Sequence, residues 1–309
     1  MKNIKNILIC GAGMMGKNIG FVFASNPDFK VGLYDLYPTD VEAGIRANTR
    51  QLVEKGVLTE QELAARLSRI SFTSDIDSAL VKDADLVIEA VFEDMGIKRE
   101  TFAKLEARCR PDTIFCTNSS VMSPSEISAQ LKHRERFVGT HFWNPGHLIP
   151  LVEVVKSDAS SEETAQTVME VLRSVGKRPV LCKKDVPGFI ANRMQHALWR
   201  EAISIVEHGI ADAATVDEAV RCSFGLRLPQ LGPMENADMV GTDLTYNIHD
   251  YILRDLESSP EPSPLLRQLR DEGKLGFKSG EGFQSWTPDQ VAQSNAELND
   301  YLIRMLYGK

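Results

Sequence analysis

The chain predicts an α/β fold, a doubly wound parallel sheet, followed by an all-helical C-terminal domain. Three observations carry that expectation. Short β-branched apolar runs alternate with helical patterns from residue 4 to about 182. A glycine-rich turn, Gly11-Ala12-Gly13-Met14-Met15-Gly16, stands where the first strand hands over to the first helix. After Pro187 strand patterning all but stops and only helical periodicity remains. At 309 residues the chain is long for a single core, and the change of character sets the expected division at 1–184 and 185–309.

Taken in order, residues 4–10 (IKNILIC) read as a short buried strand leading into the glycine turn and a helix to Ala24. The first glycine permits the tight turn, the second lets a pyrophosphate approach the backbone, and the third lets helix and strand pack closely. The helix N-terminus attracts the anion. A second strand, FKVGLYD, ends in Asp35, nineteen residues after Gly16, where a carboxylate suits the adenosine ribose hydroxyls. Together these features describe a Rossmann-type dinucleotide site, with Gly11, Gly13, Met14, Met15, Gly16 and Asp35 as cofactor-binding candidates, and the acidic residue favours NAD over NADP.

A helical hairpin follows, with capping-box spacing at Thr39/Glu42 and Thr59/Glu62 and a stop at Lys55-Gly56. Arg46, Arg50 and Lys55 lie on its first helix. They read either as a solvated face or, for Lys55, as a point charge for a ligand phosphate. Further strands are expected at 70–74, 85–91, 113–118 and 136–140, in LVEVV and in RPVLC, with helices at about 96–108 and 162–175. Ligands of such sheets bind beyond the carboxyl ends of the strands, where Glu93, Asn118, Ser120 and His141 fall. Beyond Pro187 helices are expected at 188–208, 213–224, 237–256, 263–272 and 288–307.

The stretch 136–155, RFVGTHFWNPGHLIPLVEVV, carries the chemistry. His141 ends one strand, Asn144-Pro145-Gly146 make a tight loop, and Glu153 lies inside an apolar strand where a carboxylate is costly to bury unless hydrogen-bonded. The nearest candidate partner is His141. A carboxylate holding one imidazole nitrogen leaves the other as a proton acceptor. The plainer alternative is a satisfied core histidine and a strand-edge glutamate.

Composition excludes several classes. Hydrophobic residues make up 43% and charged residues 25%, ordinary for a soluble globular chain, and the net charge of −8 with no basic run disfavours nucleic acid and anionic membranes. Cys10, Cys109, Cys116, Cys182 and Cys222 are odd in number with no CxxC pair, so neither a disulfide framework nor a thiolate metal site is expected, and a reducing cytoplasm fits. The opening MKNIKNILICGAG imitates a signal peptide, but its apolar run is too short and reads as the first strand. No window approaches the ~18 apolar residues of a membrane span.

The glycine motif with Asp35, LVIEAVFED with Lys98, TNSSV, HFWNP with Glu153, DVPGFIANR, LGPMENADMVGTD and KSGEGF occur in the order and spacing of the L-3-hydroxyacyl-CoA dehydrogenase family, and the chain resembles it over nearly its whole length. The resemblance implies NAD as cofactor, a helical domain that forms a homodimer, and a catalytic pair matching His141 and Glu153. It implies that Ser120 and Asn192 hydrogen-bond the substrate near the reacting oxygen and that Asn144 helps shape the cofactor site. Glu93, Lys98, Asn118 and Lys278 match positions that contact the cofactor, and Asn48 and Lys55 match positions that touch CoA. The chain departs from the acyl-CoA pattern where HFWNPGHLIP replaces HFFNP with a valine-proline segment and a lysine, Pro150 standing for that lysine. Gln51 and Glu54 stand where lysines are common. In these features it is similar to members acting on free acids or pyridine aldehydes, so the substrate is either an acyl-CoA or a small hydroxy acid or aldehyde. A structural, non-enzymatic relative and a metal site built from His141, His147 and Glu153 are the remaining alternatives; the latter lacks an HExxH-type arrangement.

Overall fold

A computed structural model of the chain describes residues 3–308. Its strands are β1 (Asn6–Cys10), β2 (Lys30–Tyr34), β3 (Ile70–Thr73), β4 (Leu86–Glu89), β5 (Ile114–Thr117), β6 (Phe137–Phe142), β7 (Leu151–Lys156) and β8 (Arg178–Cys182). They form one sheet in the order β3-β2-β1-β4-β5-β6-β7-β8. Neighbours are parallel throughout except β6 and β7, which run antiparallel. The exception has a local cause: the loop between them is too short for a crossover helix, and a short connection permits only antiparallel neighbours. The chain reverses its direction of travel across the sheet between β1 and β4, the switch point at which such sheets open a ligand crevice.

Around the sheet lie α1 (Met14–Phe23), α2 (Val41–Glu54), α3 (Glu60–Leu67), α4 (Ala79–Lys82), α5 (Met95–Glu106), α6 (Pro124–Ile127) and α7 (Glu162–Ser174). Alternation along the strands feeds two apolar clusters. Ile7, Ile9, Ile88, Cys116 and Val138 belong to one, and Leu8, Cys10, Val87, Phe115 and Phe137 to the other. Central parallel strands covered on both faces read as nearly continuous apolar runs for this reason.

Thr59 and Glu62 form a capping box in both arms. The other expected box is displaced: Asp40, not Thr39, caps α2 by accepting from Ala43 N. Thr39 Oγ1 instead accepts from Lys17 Nζ at 3.3 Å.

The chain divides into two compact units, one running to Ala191 and including the chain from Asn299 on, the other comprising Asn192–Leu298. The division therefore falls later than 184/185, and the last residues return to the sheet unit. The second unit contains most of α8 (Ala191–Glu207), then α9 (Ala213–Arg221), α10 (Pro233–Val240), α11 (Thr242–Ile252), α12 (Pro264–Asp271) and the start of α13 (Pro288–Tyr307). The single helix expected over 237–256 is two, because Gly241 takes φ +102° and breaks the ladder. Among the described residues no helix is long and apolar enough to cross a membrane.

Candidate active site

The carboxyl ends of β1, β2, β4 and β5 lie side by side, and the sequence places its glycine turn and acidic residues there. Gly11 has φ +106°, and a Cβ on it would come 2.5 Å from Ala90 O; a Cβ on Gly16 would come 1.8 Å from Gly11 O. A Cβ on Gly13 would meet nothing within 4 Å. The outer glycines thus close the turn against its own scaffold, and the middle one borders open space at the start of α1, the cradle a pyrophosphate requires. Asp35 fastens the turn, its Oδ2 accepting from Ala12 N at 2.7 Å and its Oδ1 from Tyr37 N at 3.2 Å. Met14 is exposed beside this cradle, and Met15 is half-buried.

His141 and Glu153 are direct cross-strand partners in β6 and β7. His141 Nδ1 and Glu153 Oε2 are 2.8 Å apart, with Glu153 fully buried and His141 nearly so. Burial alone would raise the glutamate's pKa, but hydrogen bonds from His141, Ala191 N, Ile190 N and Trp143 outweigh it and hold the carboxyl below its usual range. Ile190 N and Ala191 N reach Oε1 at 2.9 and 3.0 Å. Trp143 Nε1 reaches Oε2 at 3.3 Å. An ionised carboxylate only accepts, so Nδ1 is the donor in this contact and Nε2 is the ring nitrogen left for another partner. The Trp143 and Phe189 rings flank the imidazole, at 5.4 and 5.8 Å between centroids. Phe189 itself sits at φ +50°, a left-handed conformation costly for an aromatic residue. That turn aims the two successive N–H groups at Glu153.

Lys98 is 1% exposed, and its Nζ bridges Glu89 Oε1 at 2.7 Å and Glu93 Oε2 at 3.1 Å. Glu89 also accepts from Thr117 Oγ1 and Val91 N. Glu93 accepts from Ser119 Oγ and from Ser120 N. Two residues expected to contact the cofactor, Lys98 and Glu93, are thus tied to each other and to the TNSSV segment. The ammonium of Lys98 serves the two carboxylates. Asn118 joins strand ends, its Oδ1 accepting from Phe142 N at 2.9 Å. Ser120 follows on the same turn, half-buried.

The loop between β6 and β7 rests on the cofactor helix. A Cβ on Gly146 would come 3.3 Å from both Asn18 Cβ and Met15 Cε, and Asn144 lies exposed two residues earlier. Lys177 holds the loop from below, donating to Gly146 O at 2.6 Å and Ile149 O at 2.7 Å. Burial lowers this lysine to about 8. Burial and the charge of Lys177 lower the neighbouring His147 to about 4, so it is neutral at physiological pH. Among the described residues no group of three or more His, Cys, Asp or Glu side chains is placed to hold a metal ion.

Other expected positions lie elsewhere. Asn48 Nδ2 donates to Asn18 Oδ1 at 2.8 Å, and Lys55 pairs with Asp300 at 2.9 Å. Asn192 begins the second unit on α8, and Lys278 is exposed in that unit's 274–286 loop. Sequence reasoning missed Glu89, Thr117, Ser119, Trp143 and the Ile190–Ala191 amides. Glu89 was detectable as a second carboxylate inside an apolar strand; backbone donors leave no mark in residue identity.

The family described as 3-hydroxyacyl-CoA dehydrogenase, NAD binding domain, matches residues 6–186. The 3-hydroxyacyl-CoA dehydrogenase C-terminal domain matches 188–286. The 5-formyl-3-hydroxy-2-methylpyridine 4-carboxylate 5-dehydrogenase of Mesorhizobium japonicum is 35% identical over 312 residues, covering 99% of each chain. A probable 3-hydroxybutyryl-CoA dehydrogenase of Bacillus subtilis is 38% identical over 287 residues, covering 92% of this chain and 98% of its own. Among solved structures, a 5-formyl-3-hydroxy-2-methylpyridine 4-carboxylic acid 5-dehydrogenase described as an NAD+-dependent dismutase superposes with TM-score 0.90 at 33% identity, over 99% of this chain and 100% of that one. The (S)-3-hydroxybutyryl-CoA dehydrogenase of Ralstonia eutropha gives 0.75 at 29% identity, over 92% and 100%. A glycine cradle at the switch point and two family domains spanning residues 6–286 together make this chain an oxidoreductase of the NAD-dependent 3-hydroxyacyl-CoA dehydrogenase family.

Proposed function

We propose that the protein oxidises a secondary hydroxyl to a carbonyl, or reduces the carbonyl in reverse, with His141 as general base. The observation that carries this reading is the 2.8 Å contact between His141 Nδ1 and a carboxylate held ionised in an apolar strand. Nε2 takes the hydroxyl proton as the carbinol C–H bond breaks, and Glu153 stabilises the imidazolium that results. NAD, when bound, supplies the hydride acceptor. The glycine turn and Asp35 hold its pyrophosphate and ribose ends, while Glu93, Asn118 and Asn144 line its approach. Ser120 holds the substrate oxygen, and the family resemblance assigns Asn192 the same task.

Two substrate forms fit this chemistry. A 3-hydroxyacyl-CoA thioester agrees with the Bacillus subtilis relative. A small carboxylic acid bearing a hydroxyl or an aldehyde agrees with the Mesorhizobium japonicum relative, which aligns from end to end. A hydrated aldehyde presents the same H–C–O–H group to His141, so the base acts identically. A homodimer through the helical unit is part of the same proposal, supported by exposed Met234, Met239, Tyr246 and Tyr251 on α10 and α11.

The test is NADH formation with L-3-hydroxybutyryl-CoA, free L-3-hydroxybutyrate, L-carnitine, L-gulonate and a formyl-pyridine carboxylate. His141→Ala is expected to lower kcat by about 10² to 10⁴ while leaving NAD affinity nearly unchanged. Full turnover by that variant would remove the histidine from the mechanism.

A further inference from the structure

The three cations that the sequence places on the first hairpin helix are all paired within the chain. Arg46 meets Glu42 at 2.9 Å and Glu60 at 3.4 Å, and Arg50 meets Glu54 at 3.4 Å. Lys55, the one that reads as a phosphate partner, has its Nζ 2.9 Å from Asp300 Oδ2. Asn48, on the same helix, spends its amide on Asn18. Asp300 belongs to the last turns of α13, a helix that lies wholly beyond the family's C-terminal domain, which ends at residue 286.

Apolar contact holds those turns in place. Ile303 is 1% exposed and belongs to the same cluster as Ile45 and Leu52 of α2, Leu58 and Leu63; Leu302 packs against that cluster. The chain from Asn299 on accordingly groups with the sheet unit. A half-exposed ion pair alone is a weak fastening, but one laid over a buried isoleucine gives the contact both affinity and a fixed position.

We propose that the end of α13 is an intramolecular clasp that takes the hairpin face a phosphate-bearing substrate tail would need, so that the substrate of the His141–Glu153 site is a small free carboxylic acid rather than a CoA thioester. This rests on the dehydrogenase reading above and selects between its two substrate forms. Asp300 supplies Lys55 with the anion that a phosphate would otherwise supply, and Ile303 makes displacement unfavourable. Burying one isoleucine is worth about 10- to 100-fold in the closed-to-open ratio, and a ligand needing the open form binds weaker by that factor.

Calorimetric titration with coenzyme A itself tests the clasp without requiring turnover. The full chain is expected to show no binding at millimolar coenzyme A. The double variant Asp300→Asn/Ile303→Ala is expected to gain at least 10-fold in affinity, with NAD binding as the check that it is folded. A chain ending at Leu298 serves as a second release variant, and where it fails to fold the double variant decides. Tight binding of coenzyme A by the full chain, with α13 still protected from protease, overturns the proposal. So does a folded release variant that gains no affinity. Absence of turnover on every hydroxy acid and ester would defeat the dehydrogenase reading instead, and leaves the coenzyme A titration readable.

Discussion

Glu153 and Glu89 are both fully buried, lie on strands of the same sheet, and are held in opposite ways. Glu89 has an ammonium 2.7 Å away, yet burial pushes it above the ordinary carboxylate range against the pull of Lys98, Thr117 and Val91 N–H. The hydrogen bonds to Glu153 come from the His141 ring, the Trp143 indole and two backbone amides, and these four N–H donors hold it below that range despite burial. Aimed dipoles therefore do for one carboxylate what a full counter-charge does not complete for the other. The ion pair pins β4, α5 and the segment after β5; in the proposed mechanism the dipole-held carboxylate tunes a base.

The largest expected effect follows from removing that tuning. Glu153→Gln cannot accept the Nδ1 proton and two backbone N–H groups as an anion does, and kcat should fall by about 10² to 10⁴ with NAD binding retained. Wild-type kcat in this variant would separate the carboxylate from the chemistry. Because the folded pKa of Glu153 is lowered, its stabilisation is fully present above about pH 4.3 and is lost as pH falls through the folded value. Melting curves of Glu153→Gln should accordingly lose less stability in acid than wild type.

Next comes the pin. Lys98→Met leaves Glu89 buried without its cation and should cost about 3–5 kcal/mol in urea unfolding. Adding Glu89→Leu should recover most of that, since an apolar replacement of a whole buried pair is near neutral. A double variant no more stable than the single would deny the pair its structural role. The smallest effect belongs to Trp143→Phe, which removes one of four donors to Glu153 while keeping a ring beside His141. A loss of about 1 kcal/mol or less and a few-fold fall in kcat are expected. The observed tryptophan thus accounts physically for the departure from the HFFNP pattern: a phenylalanine has no N–H to give.

The pairing of His141 with Glu153 is legible in the sequence because a carboxylate inside LVEVV demands a donor, and the adjoining strand contains one at the matching register. The glycine turn is legible for the same kind of reason, since only glycine tolerates what Gly11 and Gly16 face. The Ile190 and Ala191 amides are not legible, because their aim depends on Phe189 adopting a backbone conformation its residue type disfavours. Nor is the return of α13: Ile303 reads as any apolar position in an amphipathic helix, and periodicity says which face is buried but not against what. Lys98 and Glu93 read as cofactor contacts from their motif, whereas the neighbouring Glu89 turns the lysine inward.

Lys177 gives the β6–β7 loop an address outside itself. The carbonyls it fastens, Gly146 O and Ile149 O, lie 31 and 28 residues earlier in the chain. The shape of the segment that borders the cofactor helix is thus written in two separated places, and neither alone reproduces it. Anyone exchanging this loop between relatives to move substrate preference would be transplanting a flap without its hinge pin; the portable module is residues 143–150 together with the residue at 177.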